Sequence, residues 1–233
     1  MQLPRTLALL VVLAFAGPCQ LFCEPGQNAE AARPGPSSES QPSGDRPSGA
    51  EVLRGVVSNS VGPYSIFMAI ATAGIHQGTD NPPEWRQGFP ALSERFGSNI
   101  GITTIGNSVR YGLGWAMNAD FHPEKCTCSG TVPRILHAVK ETAIARSRKD
   151  GSAVLSLPNL IAPYAATTSA VYAWYPARYG MKDAFRMGNY NLLGTLSTNL
   201  VFEFMPVKAV RFLRRHHFGG FGGSGLPPRT KHP

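Results

Sequence analysis

An all-α bundle of about five helices, seamed by glycine and other small residues and flanked by disordered N-terminal and C-terminal segments, is the fold this sequence predicts. Three observations lead there. Small residues recur at helical spacing between Glu94 and Asp120. Prolines and glycines divide the remainder into helix-length segments. Four long runs (55–79, 96–109, 151–177 and 187–202) carry no formal charge.

In the central stretch Gly97, Gly101, Thr104, Ser108 and Gly112 follow one another at intervals of three or four, which places them on one side of a helix. Glycine inside a helix costs about 1 kcal/mol against Ala. That cost is offset where a second helix backbone must come close, as small-xxx-small seams allow. A loop or a bulged strand pair is the competing reading, because the same stretch alternates loosely and is rich in β-branched residues.

The punctuation sets the other elements. Pro63 opens a helix reaching about Ile75, and residues 78–88 form a turn-rich loop. Pro90 opens the glycine-bearing helix, which ends before His122 and Pro123. Thr131 can cap a helix running to about Lys149, where Asp150 and Gly151 turn the chain. Its predicted buried stripe is Ile135, Leu136, Val139, Ala143 and Ile144, with Arg134, Lys140, Glu141 and Arg148 facing water. A fourth helix is expected over about Asn159–Trp174 with Pro163 in its first turn, and a fifth over about Met181–Met205.

Only 15% of the 233 residues are charged, against about a quarter in ordinary soluble domains. Residues 1–16 read as a secretory signal peptide, with Arg5, an apolar run from Leu7 to Phe15, and small residues at Ala14 and Ala16. Residues 17–50 are a Pro/Ser/Gly-rich tether, and residues 216–233 a Gly/Pro-rich basic tail. The helical domain is therefore residues 51–215. The net charge of +8 gathers largely in two clusters, Arg146–Lys149 and Arg211–Arg215, with no interleaved aromatics, so nucleic acid is not the expected partner. Anionic lipid or plain solvation accounts for it better.

The uncharged runs leave two readings open. They are either the packed interior of a small-residue bundle or helices partly entering a membrane. Two of them reach the roughly 20 residues a span needs, and both contain polar residues and proline.

The densest chemistry lies between Asp120 and Cys128, which includes His122 and Cys126, with His137 beyond. His122, Cys126, Cys128 and His137 are the candidate ligands for zinc or another transition metal. Cys-x-Cys is tighter than the usual Cys-x₂-Cys, and in an exported chain four cysteines also suggest disulfides. On that reading Cys126 and Cys128 pair with Cys19 or Cys23 rather than with each other. No Gly-x-Ser-x-Gly, His-Glu-x-x-His or phosphate-binding glycine loop is present, and the glycine-rich Gly222–Gly225 misses the first of these. His216, His217 and His232 belong to the tail.

Trp85–Gly88, Arg95–Ser98, Tyr175-Pro176 and Asn199–Pro206 together resemble the signature of a family of exported bacterial proteins of unknown function. The similarity covers about residues 60–206. It implies export and a shared fold, and it carries over no catalytic residue. Where such proteins often have an Asp-x-Arg-Tyr-like element, this chain has Asp120-Phe121-His122 and the cysteines. The functional expectation is an exported, non-enzymatic module of the periplasm or outer envelope, contacting membrane lipid or an envelope protein, with homo-oligomers through small-residue helix faces as a further option. The alternative is a metal-dependent or thiol enzyme built on the Asp120–Cys128 loop.

Overall fold

The computed structural model of the chain describes residues 46–206 and residue 208. The expected signal peptide, most of the expected tether with Cys19 and Cys23, and the expected basic tail lie outside the described residues. Within them the elements are α1 (Gly49–Val61), α2 (Pro63–Gly78), a 3₁₀ turn (Pro83–Trp85), α3 (Phe89–Ala116), β1 (Ala119–Asp120), α4 (Thr131–Ala143), β2 (Ile144–Ser147), β3 (Ala153–Leu155), α5 (Leu157–Ala173) and α6 (Met181–Phe204). The helical bundle is as expected, and the five anticipated helices correspond to α2 through α6. Pro158 takes the first-turn position of α5, which moves Pro163 inside the helix.

Helix α1 is additional to those five. Ser48 accepts from the Glu51 amide and the Glu51 carboxylate accepts from the Ser48 amide at 2.8 Å, a reciprocal capping box that starts the helix within the expected tether. Gly62, extended at ψ 163°, separates α1 from α2, and Pro63 occupies the first turn of α2. Both helices lie along the 28-residue α3. On its other side α3 packs against α5, which packs on α6, and α6 in turn on α4.

The predicted helix to Lys149 ends early. Residues 144–147 form the middle strand of a small antiparallel sheet ordered β1-β2-β3, with Ala119 opposite Ser147 and Ala145 opposite Val154. A ladder on both sides of β2 outweighs helical continuation, and burying Ala145 against Tyr111, Ala119 and Phe121 reinforces it. Asp150 and Gly151 do turn the chain, with Gly151 at φ 72° and Asp150 Oδ1 accepting from Ser152.

The seam of α3 runs along a different line from the one expected. Gly97, Ser108 and Gly112 are exposed, whereas the buried line is Ala91, Arg95, Ser98, Ile102, Asn107, Tyr111 and Gly114. The close helix contact falls at Gly106, where an added Cβ would sit 3.5 Å from Ala166 Cβ on α5. At Gly114 it would meet the Phe121 ring at 2.5 Å. Helix α4 is likewise turned from its expected orientation. Ile135 and Leu136 point outward, while Ala138, Glu141 and Thr142 are buried. Polar partners on α6 explain the inversion: Thr142 Oγ1 accepts from Asn199 at 2.8 Å, and Arg134 and His137 reach Glu203.

These contacts predict opposite outcomes for two glycines of one helix. Gly114→Ala should lower unfolding free energy by about 1–3 kcal/mol, because Phe121 is packed into the core. Gly97→Ala, exposed and with open space around it, should raise it by about 0.5–1 kcal/mol. Denaturant titration of the two variants checks both signs.

Candidate functional site

The loop after β1 divides the predicted ligands between two places. His122 turns toward α3. Its Nδ1 lies 2.7 Å from Asp120 Oδ1 and its Nε2 3.3 Å from the Tyr111 hydroxyl, while the ring stacks on Phe121. Arg148 closes on the other Asp120 oxygen at 3.3 Å. Burial alone would push the Asp120 carboxyl up. The His122 hydrogen bond and charge, with Arg148, more than offset it and hold the group far below the usual carboxylate range.

Cys126 and His137 do come together, and they do so around Glu203 of α6. One donor atom from each lies within 4.8 Å of the others. Glu203 is buried, and no ligand spacing in the sequence marked it, since it lies far along the chain in the Glu-Phe-x-Pro ending of α6. Its carboxylate accepts from the Cys126 amide at 3.2 and 3.1 Å and from Arg134 Nε at 3.3 Å. His137 Nδ1 stands 3.4 Å from Glu203 Oε2. Lys125 and Arg134 also reach the carbonyls of Met205 and Glu203, placing positive charge on the C-terminal end of α6 where the helix dipole favours it. His122 has no part in this group.

Contrary to expectation, Cys126 and Cys128 are bonded to each other. With one residue between them, the loop curls until the Cα atoms are 5.2 Å apart, within the normal range for a disulfide. The Cys126 amide anchored on Glu203 fixes that curl. In this state the sulfur is not a thiolate, and Glu203 is already engaged by Arg134 and the Cys126 amide. With the disulfide formed, the group is an ion-paired knot tying the loop to α4 and α6.

A second site was not anticipated. Between α2 and α6, with α3 as its floor, runs a cleft of about 500 Å³. Asn59, Asn99, Asn107, Asn159, Asn191 and Asn199 all line it. No Asp or Glu does so among the described residues. Tyr64 on α2 and Thr198 on α6 meet across it at 3.4 Å, and His122 lies at one end. Arg110 projects from α3 into the cleft, with Nη2 3.5 Å from Thr195 Oγ1. Burial lowers its guanidinium pKa and the neighbouring Tyr111 counters this; an arginine remains charged in either case.

The fully buried Arg95 has a different role. It donates to the carbonyls of Asn81, Pro82 and Arg86 at 2.9–3.1 Å and to Gln77 Oε1 at 2.6 Å, which holds the loop between α2 and α3 in place. Trp85 from that loop packs on Tyr175, and Tyr175 on Tyr179, so this aromatic group plugs the joint between helices.

Asp120 gives a pH prediction with a defined sign. A carboxyl depressed in the folded chain stabilises it above the unfolded value of about 3.9, and that contribution is lost as pH falls through the folded value. The difference in urea stability between wild type and Asp120→Asn should be largest above pH ~5 and shrink steadily below pH ~4.

The chain matches no known protein-family model, no characterised protein and no solved structure, so the site's chemistry rests on its own residues.

Proposed function

We propose that this chain is an exported, non-enzymatic module that seats its apolar exterior against the lipid of the cell envelope. The observation carrying this reading is an inverted distribution of side-chain size. Of the fifteen buried hydrophobic residues among those described, ten are alanines, whereas Phe67, Ile70, Ile75, Leu136, Phe185 and Leu193 are among the large ones more than half exposed. Soluble domains bury large side chains because water drives them inward. In lipid that drive is absent, and helices associate through small residues with large apolar groups outward.

Helices α1 and α2 supply the most continuous such face. By length and composition alone the stretch Gly49–Gly78 could cross a membrane, its most apolar 18-residue window having a mean hydropathy of 1.2 and being only 22% buried. Leu53, Val57 and Val61 follow at intervals of four, and Phe67, Ile70 and Ile75 continue the outward apolar surface on α2. Fractionation of producing cells tests the proposal. The mature chain should stay with membranes through high-salt and carbonate washes, and the double variant Phe67→Glu/Ile70→Glu should move into the aqueous fraction with its helicity intact. Recovery of wild type as a detergent-free monomer would sink the membrane reading.

The convergence of Cys126, His137 and Glu203 supports one second reading, a zinc site available only in the reduced chain. A phosphine reductant would be oxidised to its oxide as the disulfide becomes two thiols. Deprotonated Cys126 would then present sulfur beside an imidazole and a carboxylate. Elemental analysis after anaerobic reduction should find about one zinc per chain, falling below a tenth in Cys126→Ser; absence of bound zinc in the reduced wild type eliminates it.

A further inference from the structure

Most partly or fully buried arginines in the described body answer to an acid or to a set of carbonyls. Arg134 meets Glu203, Arg148 meets Asp120, and Arg95 is ringed by carbonyls with Asp80 at 3.6 Å. Arg110 does not. Among the described residues its one hydrogen bond is the 3.5 Å approach to Thr195, and its Nε is closed off from solvent with no partner. Arg110 is partly buried, and holding a guanidinium partly out of water with no acid beside it is unfavourable unless something else supplies the counter-charge.

The surroundings narrow what that can be. Asparagine amides and Thr hydroxyls line the cleft without an acidic side chain among the described residues, so an entering anion meets no repulsion. A volume of about 500 Å³ exceeds that of a bare ion and suits a small molecule. Met68, Ile102 and Met187 give the lining an apolar part beside the polar one. We infer that the cleft binds a small oxyanion-headed molecule, its head on the Arg110 guanidinium and its body on the apolar lining. Arginine's fixed fork of donors suits carboxylate and phosphate oxygens. This site stands apart from the lipid-facing exterior and does not depend on it.

The test uses the full chain in uncharged detergent, with inorganic phosphate as the probe and sodium chloride of equal ionic strength as the control. Phosphate should raise the thermal midpoint of wild type by about 2–4 °C at saturating concentration. Arg110→Met should melt higher than wild type without phosphate, since it removes an uncompensated charge, and should show no phosphate response. Should Arg110→Met fail to fold, Arg110→Lys, which keeps the charge without the fork, should bind at least tenfold more weakly by ³¹P line broadening. Equal melting of wild type in phosphate and chloride, or an unaltered response in either variant, would overturn the inference. A lipid headgroup and a soluble phosphate ester offer the same chemistry. With phosphatidylglycerol vesicles compared with phosphatidylcholine, loss of the anionic preference in the variant identifies the lipid source, and an unchanged preference with loss of phosphate binding identifies the soluble one. The phosphate arm reads out whether or not the chain fractionates with membranes.

Discussion

Ala162, Ala166 and Ala170 stand almost wholly buried along α5, and Gly106 of α3 approaches Ala166 and the Ala162 carbonyl across the interface. Helices this close leave no room for leucine or phenylalanine between them. What holds them is dispersion between small groups and hydrogen bonds that span the narrow gap. The Thr167 hydroxyl lies 2.9 Å from the Ala184 carbonyl of α6, Asn107 donates to Ser60 Oγ at 3.2 Å, and Trp174 donates to Ser98 Oγ at 2.9 Å. With the interior filled by alanine and amides, the large apolar side chains are left to the outside. The inverted exterior of α1, α2 and α4 follows from the close approach of α3, α5 and α6.

The helical plan was legible because its signals are local. Proline in the first turns of α2 and α3 and the Asp150-Gly151 turn are backbone chemistry that tertiary context seldom overrides. Helix α1 was missed although its signal is local: the Ser48–Glu51 spacing is a capping-box signature, obscured by the Pro- and Ser-rich composition before it. What could not be read locally is which face turns inward. The stripe Gly97–Gly112 and the stripe Ile135–Ile144 both obey helical periodicity. Gly97, Ser108 and Gly112 of the first and Ile135 and Leu136 of the second lie exposed, because partners distant in sequence, such as Asn199 on Thr142 and Ala166 at Gly106, decide which face turns inward. The strand at Ile144–Ser147 depends on partners from both sides, and no local propensity contains that information.

The candidate site divides along the same lines. Cysteine and histidine content drew attention to the loop after β1, and of the residues named there Cys126 and His137 converge. Their third member, Glu203, sits at the far end of the fold's last helix, and only the packing of α6 on α4 brings it there. The asparagines of the cleft are scattered from Asn59 to Asn199, one or two per element, with no spacing to connect them. Their sole advance signal was the absence of charge in the runs that carry all six of them. That absence had suggested only burial or lipid.

A polar cleft inside an apolar-skinned bundle is consistent with the constraint that produced the skin. Small residues set the spacing where α3 meets α5, but α2 and α6 stand apart on either side of α3, joined across the gap by the Tyr64–Thr198 contact. Large apolar side chains that could fill such a gap lie on the outer surface instead. Amides, hydroxyls and one guanidinium line the space in their place. Polar groups there must find partners among themselves or in something that enters. Asn107, Asn159 and Asn199 donate to Ser60, the Phe121 carbonyl and Thr142, which anchors the walls from behind. Among the described residues Arg110 is the lining group whose charge those bonds leave unmatched.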